Sequence, residues 1–271
     1  MEQMSTDIKE RRLKEILMEY TKSDVCIAFS GGTDSSLLLK MAAEAAKENK
    51  TKIYAVTFDT LLHPACDMEI AAQVAEEVGV THKILFIDEL QNPKISHNPV
   101  DRCYLCKKML FEKLQDFAAE VNAPVILEGT NEDDLHVYRP GLKAVKELGV
   151  KSPLAQAGLT KEEVRSLAGK FGISVANRPA SPCLATRLPY GAKLDTELLK
   201  KIEAGEAYLR EQGFATVRLR VHGNIARIEV KTEDFIKLVE KRIEITETLK
   251  TMGFSYITMD LQGFRSGSMD E

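Results

Sequence analysis

The chain has 271 residues, of which 44% are hydrophobic, so it can build one large core or two modest ones. A formal net charge of −4 gives no basic excess, which argues against a nucleic-acid partner. No stretch approaches the roughly 20 apolar residues that span a bilayer, and the charged residues 1–20 predict an amphipathic helix, not a signal peptide. We therefore expect a cytoplasmic protein whose five cysteines are reduced and serve metal binding, catalysis or packing.

Apolar runs that are typical of strands alternate with helical patterns along the first half of the chain. The predicted order is strand 24–29, helix 34–48, strand 52–58, helix 65–78, strand 82–87, helix 101–121 and strand 124–129. This alternation predicts an α/β fold, with a parallel, doubly wound sheet and helices on both faces. Ligands bind such sheets beyond the carboxyl ends of the strands.

The pattern changes at 177–191, where three prolines and a closing glycine indicate a linker. Beyond it we predict a helix at 195–212, strands at 215–223 and 225–231, a helix at 233–252 and a strand at 256–262. These elements form a small C-terminal α+β unit of about 80 residues. The predicted domains are therefore 1–190 and 191–271.

The segment SGGTDSS, which follows the first predicted strand at 30–36, is the strongest site signal. Gly31 and Gly32 allow a tight turn and a close approach of a ligand. The helix that follows directs its free N–H groups and the positive end of its dipole at the turn. Hydroxyl donors are added by Ser30, Thr33, Ser35 and Ser36. The segment predicts a phosphate site, but not a Walker A loop, because no lysine follows the glycines.

Asp34 is the exception in this turn, because a carboxylate repels phosphate unless a cation lies between them. It therefore predicts a bridging Mg²⁺. Glu128, Asn131 and Asp133 follow the fourth predicted strand, and we expect them to line the same nucleotide cleft. The alternative for these three residues is a polar loop that binds no ligand.

Two cysteines lie three residues apart at the start of a predicted helix. Cys103 and Cys106 share one helix face, and Asp101 is placed to cap the helix. Thiols at a helix N-terminus beside Arg102 and Lys107 are expected to have lowered pKa values. A lone C-x-x-C of this kind is either a metal or redox pair or part of a packed core.

A third cysteine, Cys183, lies in the predicted linker between Arg178 and Arg187. A loop thiol flanked by guanidinium groups is poised to react as a thiolate nucleophile, and the alternative is an incidental loop cysteine. The remaining two, Cys26 in a strand and Cys66 at a helix start, are interpreted as structural.

Arg218 and Arg220 alternate on one predicted strand, so both face the same side, and His222 continues that face. The fork of a guanidinium group suits phosphate. The alternative is a solvated strand face.

The SGGTDSS turn resembles the pyrophosphate loop of the N-type ATP pyrophosphatases, the PP-loop superfamily. The resemblance implies that ATP is cleaved between its α and β phosphates, with pyrophosphate held in the loop and AMP left on the substrate's oxygen. It also implies that the end of the second strand, at Thr57, Phe58 and Asp59, meets the adenosine.

Further segments extend the resemblance over nearly the whole chain, to the LarE family of sulfur transferases in nickel-pincer nucleotide biosynthesis. They are NPVDRCYLCKKMLF, RPASPCLATRLPYG, VRLRVHGNIARIEV and the terminal GFRSGSMDE. The resemblance implies a nucleotide substrate, pyridinium-3,5-biscarboxylic acid mononucleotide, whose carboxylates are adenylated with ATP and Mg²⁺ and converted to thiocarboxylates. It also implies a homo-oligomer, and substrate phosphate bound by Arg218 and Arg220.

The resemblance leaves two sources of sulfur. In one branch of the family the cysteine that matches Cys183 gives up its own sulfur. Because this chain also carries Cys103 and Cys106, three thiolates could instead hold a 4Fe–4S cluster whose open iron carries a sulfide.

Two other functions stay open on the residues alone. One is a tRNA 2-thiolation enzyme, disfavoured because basic and acidic residues are nearly balanced in the C-terminal unit. The other is a nucleotide-binding module with a structural zinc on the three cysteines.

Overall fold

The computed structural model of the chain describes residues 5–63, 66–178, 182–265 and 267–269. The chain divides into two compact units. The first comprises residues 1–60, 65–88 and 101–181, and the second comprises 61–64, 89–100 and 182–271. Two short segments of the first hundred residues therefore belong to the second unit. Whether residues 1–190 and 191–271 are separate domains, as the sequence predicts, stays a prediction.

The first unit alternates strands and helices in the predicted order, with small shifts at their ends. Its elements are α1 Thr6–Tyr20, β1 Val25–Ala28, α2 Thr33–Asn49, β2 Ile53–Thr60, α3 Cys66–Val78, β3 Thr81–Ile87, α4 Arg102–Glu120, β4 Val125–Leu127, α5 Gly141–Glu147, α6 Pro153–Gln156 and α7 Lys161–Lys170. The last three helices were not predicted. Residues 1–4 of the predicted N-terminal helix lie outside the described residues.

The four strands of this unit form one parallel sheet in the order β3-β2-β1-β4. The chain leaves β1 for β2 and β3 on one side and returns to β4 on the other side. Strand order therefore reverses between β1 and β4, and ligands of such sheets bind in the crevice beyond the carboxyl ends of the strands at that reversal. The sheet places the turn after β1 beside the loop after β4.

The central strand β1 is buried on both faces, as the predicted doubly wound architecture requires, whereas the edge strand β3 is largely exposed. Val25 and Ile27 of β1 pack in the core formed with α1, α2 and α7, whereas Cys26 packs with α4 and α5. This follows from the alternation of side chains along a strand. Cys26 is wholly buried, and burial raises the pKa of its thiol to about 12, so it is inert as its structural interpretation requires. The side chain of Cys66 lies outside the described part of the chain.

The second unit is a small α+β unit, as predicted. Its elements are α8 Thr196–Glu211, β5 Val217–His222, β6 Ile225–Val230, α9 Phe235–Glu240, α10 Arg242–Thr251 and β7 Tyr256–Met259. β5 and β6 are antiparallel, and β7 joins β6 in parallel. The single helix predicted at 233–252 is wrong, because the helix is interrupted at Lys241, where the Arg242 guanidinium donates to the Val239 carbonyl at 3.2 Å. None of the described helices has the length and apolar character needed to cross a membrane.

Candidate functional site

The turn between β1 and α2 depends on one glycine for its shape. Gly31 has a φ of +67°, and a Cβ at this position would lie 2.9 Å from the backbone nitrogen of Ala71. Side chains rarely adopt that conformation, and the neighbouring backbone leaves no room for one. Gly32 is the N-cap of α2, and the first helical bond runs from the Ser36 N–H to its carbonyl at 2.9 Å. The N–H groups that precede Ser36 in the helix have no intrahelical acceptor and are open to an anion.

The hydroxyls of the turn mainly hold the turn itself. The Ser35 hydroxyl donates to the Gly32 carbonyl at 3.1 Å and lies 3.2 Å from the Ser30 hydroxyl. The Thr33 hydroxyl donates to the Val175 carbonyl at 3.0 Å. The Ser36 hydroxyl is buried and has no hydrogen-bond partner within the described part of the chain. Backbone N–H groups, more than these hydroxyls, are therefore the donors available to phosphate.

The loop after β4 lies directly against the first turn of α2. A Cβ added to Gly129 would lie 3.0 Å from the Ser35 backbone nitrogen. The Asn131 side-chain amide donates to the Asp34 carboxylate at 3.0 Å. The structure thus brings Asn131 to Asp34, at the edge of the sheet where the nucleotide cleft is predicted.

Lys161 forms an ion pair with Asp34 and is a site residue that sequence reasoning missed. It is the first residue of α7, a helix that begins with a capping box between Thr160 and Glu163. The T-x-x-E pattern signals the start of that helix, but it does not show that the helix delivers a lysine to the turn after β1. A lysine therefore does reach the glycine turn in space, although none follows it in sequence.

Two neighbouring aspartates differ in their surroundings. Asp133, the predicted site residue, is exposed and accepts the Lys161 backbone N–H at 2.8 Å, so it positions the start of α7. Asp134 is half-buried and pairs with Arg139 at 2.8 Å. Burial raises the pKa of Asp134, and repulsion from Asp34 and Glu128 adds to that rise, although Arg139 and a backbone hydrogen bond oppose it. Three carboxylates therefore share this edge of the sheet.

The residues around Asp34 are compatible with the predicted Mg²⁺. Among the described residues, no group of three or more His, Cys, Asp or Glu side chains is arranged to hold a metal ion. A Mg²⁺ that bridges phosphates does not need such a group, because it takes one or two carboxylates and completes its shell with phosphate oxygens and water. Asp34, at the N-terminus of α2, is placed for that role.

Glu128 is nearly buried, and its hydrogen bonds are made within the protein. Its carboxylate accepts the Thr130 N–H at 3.1 Å, the Thr130 hydroxyl at 2.8 Å and the Ser152 hydroxyl, and it pairs with Lys107 at 3.3 Å. These partners fix the shape of the loop after β4. We therefore interpret Glu128 as a residue that holds the loop beside the predicted cleft.

Cys103 and Cys106 lie in the first turn of α4, as predicted. Cys103 is exposed and Cys106 half-buried, and the Arg102 guanidinium donates to the Cys103 Sγ at 3.4 Å. Asp101 occupies the N-cap but makes no capping hydrogen bond with its side chain, so the predicted cap is wrong. Lys107 follows Cys106 directly and reaches Glu128, which links the C-x-x-C turn to the loop after β4.

The end of β2 carries the residues predicted to meet adenosine. The Phe58 and Phe111 rings lie 6.1 Å apart between centroids, and the Thr57 hydroxyl is 2.8 Å from the His82 Nε2. Asp59 is half-buried next to Phe58. Because β2 neighbours β1 in a parallel sheet, these residues share the sheet edge with the glycine turn. Their contact with adenosine stays a prediction.

Cys183 begins a 3₁₀ turn, Leu184–Arg187, in the second unit and is half-buried. Its carbonyl accepts the Thr186 hydroxyl at 2.7 Å and the Arg187 guanidinium at 3.3 Å. The Asn98 side chain holds the end of the turn by donating to the Leu188 carbonyl at 3.1 Å. The cysteine therefore lies on a fixed turn. Residues 179–181 of the predicted linker lie outside the described residues.

The two arginines that flank Cys183 in sequence lie in different surroundings. Arg187 is 2% exposed and forms two hydrogen bonds to Glu206, at 2.8 and 2.9 Å. Burial raises the pKa of Glu206, but the hydrogen bond and charge of Arg187 outweigh that effect and the net pKa is lowered. Arg178 belongs to the first unit and donates to the Gly31 carbonyl at 3.5 Å. Glu206 neutralises the charge of Arg187, so an effect of the flanking arginines on the Cys183 thiol stays a prediction.

Arg218 and Arg220 lie on the same face of β5 but in different surroundings. Arg220 is 4% exposed and donates to Glu229 at 3.0 Å and to the Thr186 carbonyl at 2.7 Å. Arg218 pairs with no carboxylate within the described part of the chain. Burial lowers the pKa of Arg218 to about 10, and the neighbouring guanidinium groups add to that effect. The strand face is therefore not a solvated one, and Arg218 is the guanidinium on β5 that is left for an anion.

Alanine at position 129 is expected to loosen the contact between the loop after β4 and α2. Its Cβ would approach the Ser35 backbone nitrogen to 3.0 Å, and overpacking of this kind costs about 1–3 kcal/mol. We expect Gly129→Ala to lose more free energy of ATP binding than free energy of unfolding. Calorimetric titration with ATP checks this. The control is Gly169→Ala, because this glycine lies within α7 and nothing lies within 4 Å of a Cβ at that position. Unchanged ATP affinity in Gly129→Ala would contradict the contact's role.

Comparison with known proteins agrees with this geometry. A model of the PP-loop domain matches residues 5–137. The chain is 38% identical over 250 residues to the pyridinium-3,5-bisthiocarboxylic acid mononucleotide synthase of Lactiplantibacillus plantarum, covering 91% of this chain and 89% of that protein. It is 36% identical over 264 residues to an uncharacterized protein of Synechocystis sp., covering 96% and 97% of the two chains.

A more distant similarity covers less of the chain. The tRNA-specific 2-thiouridylase MnmA of Rickettsia africae is 28% identical over 202 residues, which covers 59% of this chain and 53% of that protein. The similarity to the mononucleotide synthase is higher and spans both units. The glycine turn at a switch point of a parallel sheet, the matched PP-loop domain and this full-length similarity lead to one assignment. The chain belongs to the LarE family of ATP-dependent sulfur transferases, within the PP-loop superfamily.

Proposed function

We propose that this protein adenylates the carboxylates of pyridinium-3,5-biscarboxylic acid mononucleotide and converts them to thiocarboxylates. The observation that carries the proposal is the turn after β1, where open N–H groups of α2 lie beside the Asp34 carboxylate. The full-length similarity to the mononucleotide synthase supports the substrate. The proposed partner is therefore a small-molecule nucleotide, used together with ATP and Mg²⁺.

Adenylation solves a chemical problem of the substrate. A carboxylate resists attack by sulfur because its oxygen is a poor leaving group. Attack of the carboxylate oxygen on the α-phosphorus of ATP releases pyrophosphate and leaves the adenylyl group on that oxygen. A sulfur nucleophile then forms the C–S bond while AMP departs. The same two steps convert the second carboxylate.

The first unit supplies the residues that bind ATP in this proposal. The N–H groups at the start of α2 donate hydrogen bonds to the pyrophosphate oxygens, and the positive end of the helix dipole adds to this attraction. Asp34 would hold Mg²⁺, and the ion would neutralise part of the phosphate charge. Lys161 and Arg178 add two cations at the same turn, since one pairs with Asp34 and the other donates to Gly31. Asn131 and Glu128 keep the loop after β4 against α2.

The second unit supplies an anion-binding residue and the sulfur nucleophile. Arg218 binds the phosphate of the mononucleotide, because no carboxylate among the described residues pairs with this guanidinium. Arg220 holds β5 and the Cys183 turn together through Glu229 and the Thr186 carbonyl. Cys183 takes part in the transfer of sulfur.

A 4Fe–4S cluster on Cys103, Cys106 and Cys183 is a further part of the proposal. Cys103 and Cys106 lie at the start of α4, and the Arg102 guanidinium, which donates to the Cys103 Sγ, suits anionic sulfur. Cys183 belongs to the other unit, and the described residues contain no preformed group of three metal ligands. Iron analysis after anaerobic purification tests the cluster, and bound zinc in place of iron would favour a structural metal.

Pyrophosphate release and product mass together test the function. We expect release to require both ATP and the mononucleotide, and the product to gain one oxygen-to-sulfur exchange for each carboxylate. Unmodified tRNA serves as the control substrate. Transfer of sulfur to tRNA, or no release with the mononucleotide, would contradict the proposal. We also propose a homo-oligomer that binds no nucleic acid, which sedimentation and a tRNA-binding assay check.

A further inference from the structure

The C-terminal strap, residues 263–265 and 267–269, docks on the three-stranded sheet of the second unit. The Phe264 N–H donates to the carbonyl of Val230, the last residue of β6, at 2.8 Å. Gly263 has a φ of +73°, and a Cβ there would lie 3.0 Å from the same carbonyl. Ser268 is 7% exposed, and its hydroxyl donates to Glu229 at 2.7 Å. The strap is therefore bound at both of its ends.

The strap contacts the face of β5 that carries the arginines. The Phe264 ring lies under the Arg218 guanidinium, 5.2 Å from its central carbon. Glu229, which Ser268 contacts, pairs with Arg220 at 3.0 Å and with Arg227 at 3.1 Å. Glu229, which lies opposite Arg218 in the strand register, is thus already shared by two other guanidinium groups. An aromatic ring takes the place of an acidic partner for Arg218.

A second observation on the same face points to a ligand. His222 follows Arg218 and Arg220 at alternate positions of β5 and therefore shares their side of the strand. Its Nε2 is buried and has no hydrogen-bond partner within the described part of the chain. Burial lowers the pKa of His222, and the charges of Arg227 and Arg220 lower it further, so the ring is neutral at pH 7. Buried polar atoms are rarely left without a partner, and a bound molecule would supply one.

We infer that Phe264 is a positioning residue for Arg218, and that the strap is a built part of the site for the substrate's phosphate. The inference rests on the proposed function, since it concerns the phosphate of the same mononucleotide. A ring that covers one face of a guanidinium leaves the N–H groups at its edge free for phosphate oxygens. Holding the group in one orientation before binding lowers the entropy cost of binding. A partly buried cation also attracts an anion more strongly than an exposed cation does.

Substitutions that separate the aromatic ring from side-chain volume test the inference. Phe264→Leu removes the ring, whereas Phe264→Tyr and Phe264→Trp keep a ring beneath Arg218. We expect Phe264→Leu to weaken binding of pyridinium-3,5-biscarboxylic acid mononucleotide by about 3- to 30-fold, and the two aromatic variants to bind like the wild type. ATP affinity, which depends on the first unit, is expected to stay unchanged. Calorimetric titration with each ligand measures both.

Phe214→Leu is the matched control, because Phe214 forms a cation–π contact with Lys237 in the same unit, at 4.8 Å from the ring centroid. We expect this variant to lower the melting temperature without changing mononucleotide affinity. At saturating mononucleotide, Phe264→Leu is expected to release pyrophosphate at the wild-type rate. Wild-type protein that binds no mononucleotide would overturn the proposed function. Wild-type affinity in Phe264→Leu, or equal weakening in Phe264→Tyr, would overturn the role of the ring alone.

Discussion

Cys183→Ala is expected to abolish thiocarboxylate formation, by at least about 10³-fold, while a first burst of pyrophosphate still appears. The two steps separate because, in the proposed function, the residues that bind ATP belong to the first unit, whereas Cys183 belongs to the second. The substitution leaves the 3₁₀ turn intact, since the Thr186 and Arg187 bonds are made to the Cys183 carbonyl and not to its thiol. Mass analysis of the mononucleotide and a pyrophosphate assay on the same sample measure both steps.

Cys26→Ala is the control for this experiment. Cys26 is wholly buried and burial raises its thiol pKa to about 12, so it supplies no thiolate at neutral pH. We expect that variant to transfer sulfur at the wild-type rate once it is folded. Thiocarboxylate made by Cys183→Ala at the wild-type rate would remove Cys183 from the reaction.

Intact-protein mass spectrometry of the wild type then decides the source of sulfur. If Cys183 gives up its own sulfur, its Cβ–S bond breaks and its α-proton is lost, so the peptide loses the elements of H₂S. Such a loss in iron-free protein would overturn the cluster. An unchanged peptide, several turnovers with added sulfide, and inactive Cys103→Ala and Cys106→Ala variants would support it. We expect the second set of results, because a sacrificial thiol has no need of a C-x-x-C.

The parallel sheet was predictable because its signals are local. Short apolar runs that are separated by helical patterns give strands buried on both faces, and β1 shows this in the alternation of Val25 and Cys26 between two cores. The glycine turn was predictable for the same reason. Gly31, Asp34 and the start of α2 are adjacent in sequence, so their chemistry can be read from a few neighbouring letters.

The partners of Asp34 were not predictable, because they come from distant parts of the chain. Lys161 is 127 residues away and Asn131 is 97 residues away. No periodicity or capping signal records which helix end meets which turn. The three helices after β4 were also missed, and with them the lysine that the last of these helices delivers. Contacts of this length are decided by how the chain packs, and a single sequence does not state them.

The two arginines of β5 show a different limit. Their sequence signal is identical, since both alternate on one strand. Yet Arg220 pairs with Glu229, whereas no carboxylate among the described residues pairs with Arg218. Glu229 lies opposite Arg218 in the strand register but bonds to Arg220. Two further contacts separate the arginines. The Arg220 guanidinium also donates to the Thr186 carbonyl, and the Phe264 ring covers the Arg218 guanidinium. Only the packed structure shows that Arg220 holds the scaffold together, and ligand binding by Arg218 stays a prediction.

Asp34→Asn is expected to lower pyrophosphate release by about 10²- to 10³-fold, because an amide replaces the carboxylate that would hold Mg²⁺. The amide keeps the size of the side chain and retains one oxygen for the Asn131 hydrogen bond, so we expect an unchanged melting temperature. It removes the ion pair with Lys161 and the repulsion between Asp34 and phosphate. ATP should therefore bind at least as tightly as in the wild type when Mg²⁺ is absent, and added Mg²⁺ should strengthen binding only in the wild type.

Titrating ATP with and without Mg²⁺ distinguishes loss of a metal ligand from general damage to the turn. Asp133→Asn is the matched control, since this neighbouring carboxylate is exposed and accepts a backbone N–H that an amide oxygen can also accept. We expect its Mg²⁺ dependence to match the wild type. Lys161→Met completes the test, because it removes the ion pair but keeps the carboxylate, and its ATP binding should still respond to Mg²⁺ although it is weaker. Pyrophosphate release at the wild-type rate in Asp34→Asn would exclude Asp34 as the metal-binding residue.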